Sequence, residues 1–237
     1  MARRTTPRRV LAVVTSTTRY ADKGYRTGLW LGELTHFYDV LTEAGHQVDV
    51  VSIDGGQVPL DPESLSTLML RSGGTGERYA DPSFMALLDD TPGIDEVDPE
   101  DYDAVYLTGG HGVMFDFPGS ETLGRVLVAM AAAGKVVSAV CHGPAGLLAA
   151  RDADGTPMIA GRKVTGFSWP EEKLAGRQDA VPFRLDEQLQ ALGAKYVKAR
   201  IPFTSKVVRD GFLITGQNPQ SAADVGKAVV KALRKQR

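Results

Sequence analysis

The chain has one cysteine, Cys141, with His142 directly after it, in the run Val136 to Ala150, VVSAVCHGPAGLLAA. An apolar β-rich stretch that stops at a nucleophile and resumes as an Ala/Leu helix has the form of a nucleophile elbow. Such a turn lifts a thiol above a sheet edge and aims the free N–H groups of the next helix at it, which favours thiolate. The alternative reading is a small buried hydrophobe, the usual state of a lone cysteine.

Three other segments offer partners. Leu107 to Ser120 reads LTGGHGVMFDFPGS, where an apolar strand runs into Gly109-Gly110-His111-Gly112. Glycines there let backbone N–H groups approach a ligand closely, as an oxyanion hole requires, although glycine turns also end many ordinary strands. Glu33 falls among Leu31, Leu34 and Phe37 instead of on a polar stripe. A carboxyl in apolar surroundings can be kept protonated and share a proton with a thiol; an ordinary first-turn glutamate favouring the helix dipole reads the same way. In Ser168-Trp169-Pro170-Glu171-Glu172 the spacing makes Glu171 half of a capping box. Glu172 is then either solvated or the third member of a Cys-His-acid arrangement.

The four histidines are His36, His46, His111 and His142. None follows the elbow, so a thiol hydrolase that takes its base from a later histidine cannot be built, and His142 must serve. His36 reads as a helix-face residue and His46 as a turn residue. No H-x-x-x-H, C-x-x-C or H-E-x-x-H spacing is present, so no metal is expected. Neither G-x-G-x-x-G nor G-x-x-x-x-G-K-[ST] occurs, so nucleotide binding has no support.

Apolar β-branched runs that alternate with helical periodicities predict a mostly parallel sheet covered on both faces. Strands are expected near Val10–Thr15, Val48–Ile53, Ala104–Leu107 and Val136–Val140, then Lys163–Thr165, Tyr196–Lys198, Lys206–Arg209 and Phe212–Thr215. Arg209-Asp210-Gly211 is a hairpin signal, so antiparallel additions are expected at one end of the sheet. Helices are expected over Gly32–Ala44, Glu121–Ala133, Pro144–Ala150, Phe183–Leu192 and Ser221–Lys235. Residues 55–100 exceed a plain crossover. Asp61-Pro62 and Asp81-Pro82 mark helix starts within them, which predicts a small helical insertion over the carboxyl edge, either a lid or an inert elaboration.

At 237 residues with no linker-like stretch, one domain over 1–237 is expected. A net charge of -2 gives no footprint for nucleic acid or an anionic membrane. One cysteine forms no internal disulfide, which fits a reducing cytoplasm. The apolar run behind the basic MARRTTPRR is too short for a signal core or a membrane span, so this segment is expected to fray.

Together TGLWLGELTHF, LTGGHGVMFDFP, VVSAVCHGPAGLL and KVTGFSWPEE resemble the intracellular-protease (PfpI) family of the class I glutamine amidotransferase-like superfamily. Within it they are similar to the branch of heat-shock chaperones and glutathione-independent glyoxalases, and the likeness extends through Leu185 to Val225. The resemblance implies a flavodoxin-like α/β sandwich, a homodimer, no cofactor and a small α-oxoaldehyde substrate. It implies Cys141 as nucleophile, His142 beside it, Glu33 as the proton-moving carboxyl, Glu172 or its neighbour Glu171 as the partner of His142, and the N–H groups of Gly110 and His142 as oxyanion donors. One departure is Phe37, where the family has proline after the helix histidine, a change expected to alter backbone and not chemistry. Besides a glyoxalase, the same features fit a stress-response holdase with a thiol sensor, and less well a peptidase, amidase or protein deglycase.

Overall fold

The computed structural model describes residues 7–236, so most of the basic segment expected to fray lies outside the described residues. Eight strands are described: β1 Arg9–Val14, β2 Gln47–Ser52, β3 Ala104–Leu107, β4 Val136–Val140, β5 Lys163–Val164, β6 Lys195–Tyr196, β7 Val207–Asp210 and β8 Leu213–Gly216. The α-helices are α1 Leu31–Glu43, α2 Thr67–Leu70, α3 Thr75–Ala80, α4 Pro82–Met85, α5 Val113–Asp116, α6 Glu121–Ala132, α7 Trp169–Ala175, α8 Leu185–Ala191 and α9 Ala222–Leu233.

The main sheet runs β2-β1-β3-β4-β8-β7, parallel except for β7. β1, β3 and β4 are buried almost throughout, which is why they read as unbroken Val/Leu/Ala runs without alternation. One core holds Leu34, Phe37 and Leu41 of α1 with Val225 and Val229 of α9; the other holds Leu123, Leu127 and Met130 of α6. Helices therefore cover both faces of the sheet, as in the flavodoxin-like sandwich. Strand order reverses where β1 lies between β2 and β3, and open α/β sheets place ligands at the carboxyl ends beside such a switch.

The two long helices before the site's strands end alike. Behind α1, Gly45 has φ 84°, and the N–H groups of Gly45 and His46 return to the carbonyls of Thr42 and Leu41. Behind α6, Gly134 has φ 70°, with Gly134 and Lys135 returning to Ala131 and Met130. Both are Schellman closures, which turn the chain directly into β2 and β4.

Two expectations are corrected. The segment after Cys141 is a six-residue 3-10 helix, Gly143–Leu148, not an α-helix. Gly143, Pro144 and Gly146 lower helix propensity, and a Cβ at Gly143 would overlap the Leu107 carbonyl, so the chain stays tight against β3. β5 and β6 pair with each other as a separate parallel ladder instead of extending the main sheet, whose antiparallel addition is β7 alone.

Residues 55–100 hold α2, α3, α4 and several 3-10 turns. Asp61 and Asp81 cap their turns by accepting from the N–H of Glu63 and Ser83, each with proline at the first helical position. His36 Nε2 lies 3.1 Å from the Ser72 carbonyl and 3.0 Å from Thr75 Oγ1, so this histidine ties α1 to the insertion. His46 Nδ1 accepts the Arg8 N–H at 3.3 Å behind the Gly45 turn. No helix among the described residues is long and apolar enough to cross a membrane.

Candidate active site

Cys141 follows β4 with φ 57°, a left-handed backbone rare for a residue with a Cβ and expected at an elbow nucleophile. Its N–H donates to the Gly216 carbonyl at 3.0 Å and its carbonyl accepts from Phe167 N–H at 2.7 Å, so β8 and the β5–α7 loop pin the strained turn. The other described non-glycine residue with positive φ, Phe203 at 59°, lines the same cavity. That cavity has a volume of about 240 Å³. Trp30, Met69, Phe167 and Phe203 give it apolar walls, and Cys141 and His142 also line it. Glu63 and Met69 bring the insertion onto its rim.

His142 Nδ1 stands 3.3 Å from Cys141 Sγ, and His142 Nε2 is 2.8 Å from Glu172 Oε2. The second oxygen, Oε1, is 2.8 Å from His111 Nε2. Sequence reading found the first three of these residues and missed His111. Within Gly109-Gly110-His111-Gly112 the glycines dominate the pattern; the signal for this residue is a histidine held among glycines where β3 ends. The Glu171/Glu172 ambiguity is also resolved. Glu171 points away and accepts hydrogen bonds from Ser168 N and Oγ, Gln217 Nε2, Phe203 N and Asn218 Nδ2. It holds the 203 loop and the α7 start, while Glu172 faces the histidines.

Glu33 is fully buried behind Cys141, and neither carboxyl oxygen has a partner in hydrogen-bonding geometry. Its nearest polar neighbours are the Cys141 thiol and the Gly109 N–H. A Cβ at Gly109 would overlap Glu33 Oε2 and crowd Cys141 Cβ, so glycine here makes room for the carboxyl. At Gly110, φ is 100° and a Cβ would overlap the Gly28 carbonyl, so only glycine lets this turn pack under the start of α1. Phe37 stacks on Tyr106 with ring centroids 3.7 Å apart, and Tyr106 Oη donates to the Glu33 carbonyl at 2.9 Å. The departure at Phe37 thus supports the turn that carries Glu33. The N–H groups of Gly110 and His142, both on the cavity wall, donate to no acceptor among the described residues.

Burial raises Glu33 to about 8, against the opposing pull of Cys141 and Gly109 N–H. Burial, and next the charge of Glu33, push the Cys141 thiol up. This corrects the expectation of a resting thiolate: a short 3-10 turn supplies little dipole, and desolvation beside a second acid outweighs it. Burial opposes ionisation of Glu172, but His142's charge and the hydrogen bonds from both histidines hold its carboxyl well below the usual range. His142 is pushed down by burial and by His111, against the pull of Glu172. The resting chain is therefore thiol, neutral His142 and ionised Glu172.

His111, His142 and Glu172 are the one grouping of metal-ligand type among the described residues, with donor atoms within 4.8 Å of one another. Its members lie on three separate segments, so no sequence spacing marks it. Both Nε2 atoms are occupied by hydrogen bonds to the carboxylate, so as arranged the groups serve one another.

The chain is similar to known proteins along most of its length. Glyoxalase 3 of Candida albicans is 32% identical over 94% of this chain and 98% of its own. Glutathione-independent glyoxalase HSP31 of Saccharomyces cerevisiae is 31% identical over 96% of this chain and 99% of its own. The solved Rapid Encystment Protein 24 KDa of Francisella tularensis superposes with TM-score 0.91 at 38% identity, covering 95% and 99% of the two chains. Glyoxalase III of C. albicans gives TM-score 0.86 at 32% identity, covering 94% and 96%. The profile of the DJ-1/PfpI family matches residues 28–232. With its elbow cysteine on a flavodoxin-like sheet, the chain belongs to the DJ-1/PfpI family.

Proposed function

We propose that the protein is a glutathione-independent glyoxalase of the cytoplasm that converts methylglyoxal or glyoxal to lactate or glycolate. One observation carries the reading: a buried, unpartnered carboxyl, Glu33, stands directly behind the elbow thiol. A hydrolase needs only nucleophile, imidazole and oxyanion donors. An isomerising enzyme needs in addition a base for a C–H proton, and a carboxyl raised to about 8 is matched to that task near neutral pH. The names of the relatives support the same chemistry.

Cys141 adds to the aldehyde carbon C1 while its proton passes to His142 Nδ1, and the developing oxyanion lies between the N–H groups of Gly110 and His142. His142 returns the proton to that oxygen, giving a hemithioacetal. Ionised Glu33 takes the C1 proton and delivers it to C2 through an enediol. The product is a thioester of the 2-hydroxy acid, which water cleaves. C1 is oxidised as C2 is reduced, so the balance is aldehyde plus water and no external oxidant, metal or cofactor enters.

A second reading has its own observation. Leu68, Leu174 and Ile201 are each about two-thirds or more exposed, apolar side chains available to an unfolded chain. The protein is further proposed to act as a homodimer, without nucleic acid or membrane partners; light scattering tests this. Purified protein given methylglyoxal without glutathione separates the two readings. Lactate formation that disappears in Cys141→Ala supports the enzyme, whereas suppression of aggregation with no turnover supports the holdase.

A further inference from the structure

We propose that His111 is a second acid–base imidazole of this site, coupled to His142 through Glu172, which serves the substrate's C2 oxygen while His142 serves sulfur and the C1 oxygen. The proposal rests on the glyoxalase reading above. A carboxylate only accepts, so both Nε2 atoms that meet Glu172 carry protons. His142 Nδ1 is then a bare acceptor facing the thiol. His111 lines the cavity, and its Nδ1 has no partner among the described residues, so this nitrogen is free for a ligand.

Orienting His142 requires only one oxygen of Glu172. The other oxygen is given to a second ring, whose centroid lies 4.3 Å from that of His142. Two imidazolium ions at that separation repel, and a single carboxylate compensates one of them. The trio is thus built to carry at most one extra proton at rest, on one ring or the other. The charged and titratable groups facing His111 are Glu172 from α7, His142 after β4, Tyr20 from the β1–α1 loop and Asp61 from the start of the insertion.

The chemistry needs two such rings. Turning a hemithioacetal with a C2 ketone into a thioester with a C2 hydroxyl removes a proton from the C1 oxygen and adds one to the C2 oxygen. In the working form His111 is the imidazolium. It gives its Nδ1 proton to the C2 oxygen as Glu33 removes the C1 hydrogen. Glu33 then protonates C2 as His142 Nδ1 accepts the C1 hydroxyl proton, so the positive charge has passed from His111 to His142. During hydrolysis His111 takes a proton from the attacking water, and His142 protonates the departing Cys141 sulfur. Every group returns to its starting state, and the trio ends the cycle with the charge it began with, having passed one proton to the substrate while Glu33 held the C1 proton.

The test compares wild type, His111→Gln and His111→Ala with methylglyoxal, scoring lactate and the Cys141 adduct, the latter as protection of the thiol from iodoacetamide read by mass. The expected result is a turnover loss of about 10² to 10⁴-fold in both variants, with adduct formation retained and KM little changed. Added imidazole should partly restore His111→Ala, because it fills the vacated space. Retained adduct also shows that the variant site is folded. Turnover within a few fold of wild type, or turnover and adduct lost together with no rescue, overturns the assignment of His111. Wild-type protein that makes no lactate instead overturns the glyoxalase reading beneath it.

Discussion

Replacing Glu33 with glutamine should make the protein more stable at alkaline pH while it nearly abolishes activity. In the folded chain this carboxyl titrates at about 8 against an ordinary 4.5, because full burial outweighs the opposing pull of Cys141 and the Gly109 N–H. The folded state therefore binds the proton more tightly than the unfolded chain does. Its contribution is complete below about pH 4.5 and is lost as pH rises through about 8. At 1.36 kcal/mol per pH unit, the full shift corresponds to about 5 kcal/mol. Relaxation around the ionised carboxylate reduces this, and a difference of about 2 kcal/mol or more between pH 5 and pH 9 is expected. Glutamine mimics the protonated form at every pH. Urea unfolding of both proteins at pH 5, 7 and 9 should give curves that nearly coincide at pH 5 and diverge in favour of Glu33→Gln at pH 9. Turnover should fall by about 10² to 10⁴-fold. Identical pH dependence in the two proteins, or a variant that is weaker at pH 9, would show that Glu33 is not the desolvated acid described here.

Because the catalytic base is the ionised form of Glu33, kcat/KM for methylglyoxal should climb about tenfold per pH unit at low pH and level off near pH 8; a flat profile between pH 6 and 8 would count against this base. Glu171→Ala strands five donors around the 203 loop and α7, four of them in buried hydrogen bonds. Its thermal midpoint should drop in line with a loss of about 3–5 kcal/mol, and an unchanged melt would show that the cluster adds nothing. Gly109→Ala drives a methyl group into the Glu33 carboxyl. It should cost about 1–3 kcal/mol of stability and a far larger share of turnover, so a fully active variant would mean that Glu33 does not depend on that space.

The sheet was legible because parallel strands buried on both faces leave unbroken apolar runs; β3 and β4 begin and end where Ala104–Leu107 and Val136–Val140 suggested. The elbow, Glu33 and Glu172 were legible because each breaks a local pattern. What escaped depends on tertiary context. The 3-10 form of Gly143–Leu148 follows from contact with β3, which Ala/Leu content alone does not report. β5 and β6 are two residues each, too short for periodicity to say which sheet they join. His111 and Glu172 are 61 positions apart and meet only once β3 and α7 have packed. The elbow motif does not report the protonation of Cys141, because burial and a neighbouring acid, neither visible in the motif, dominate a helix-end effect.

The most direct measurement is lactate formed from methylglyoxal by the purified protein without glutathione or added metal, with Cys141→Ala and Glu33→Gln alongside. Wild type should release lactate catalytically. Glu33→Gln should form the Cys141 adduct but release almost none, and Cys141→Ala should do neither. Lactate at wild-type rates from either variant, or none from wild type, contradicts a thiol that captures the aldehyde for the carboxyl behind it.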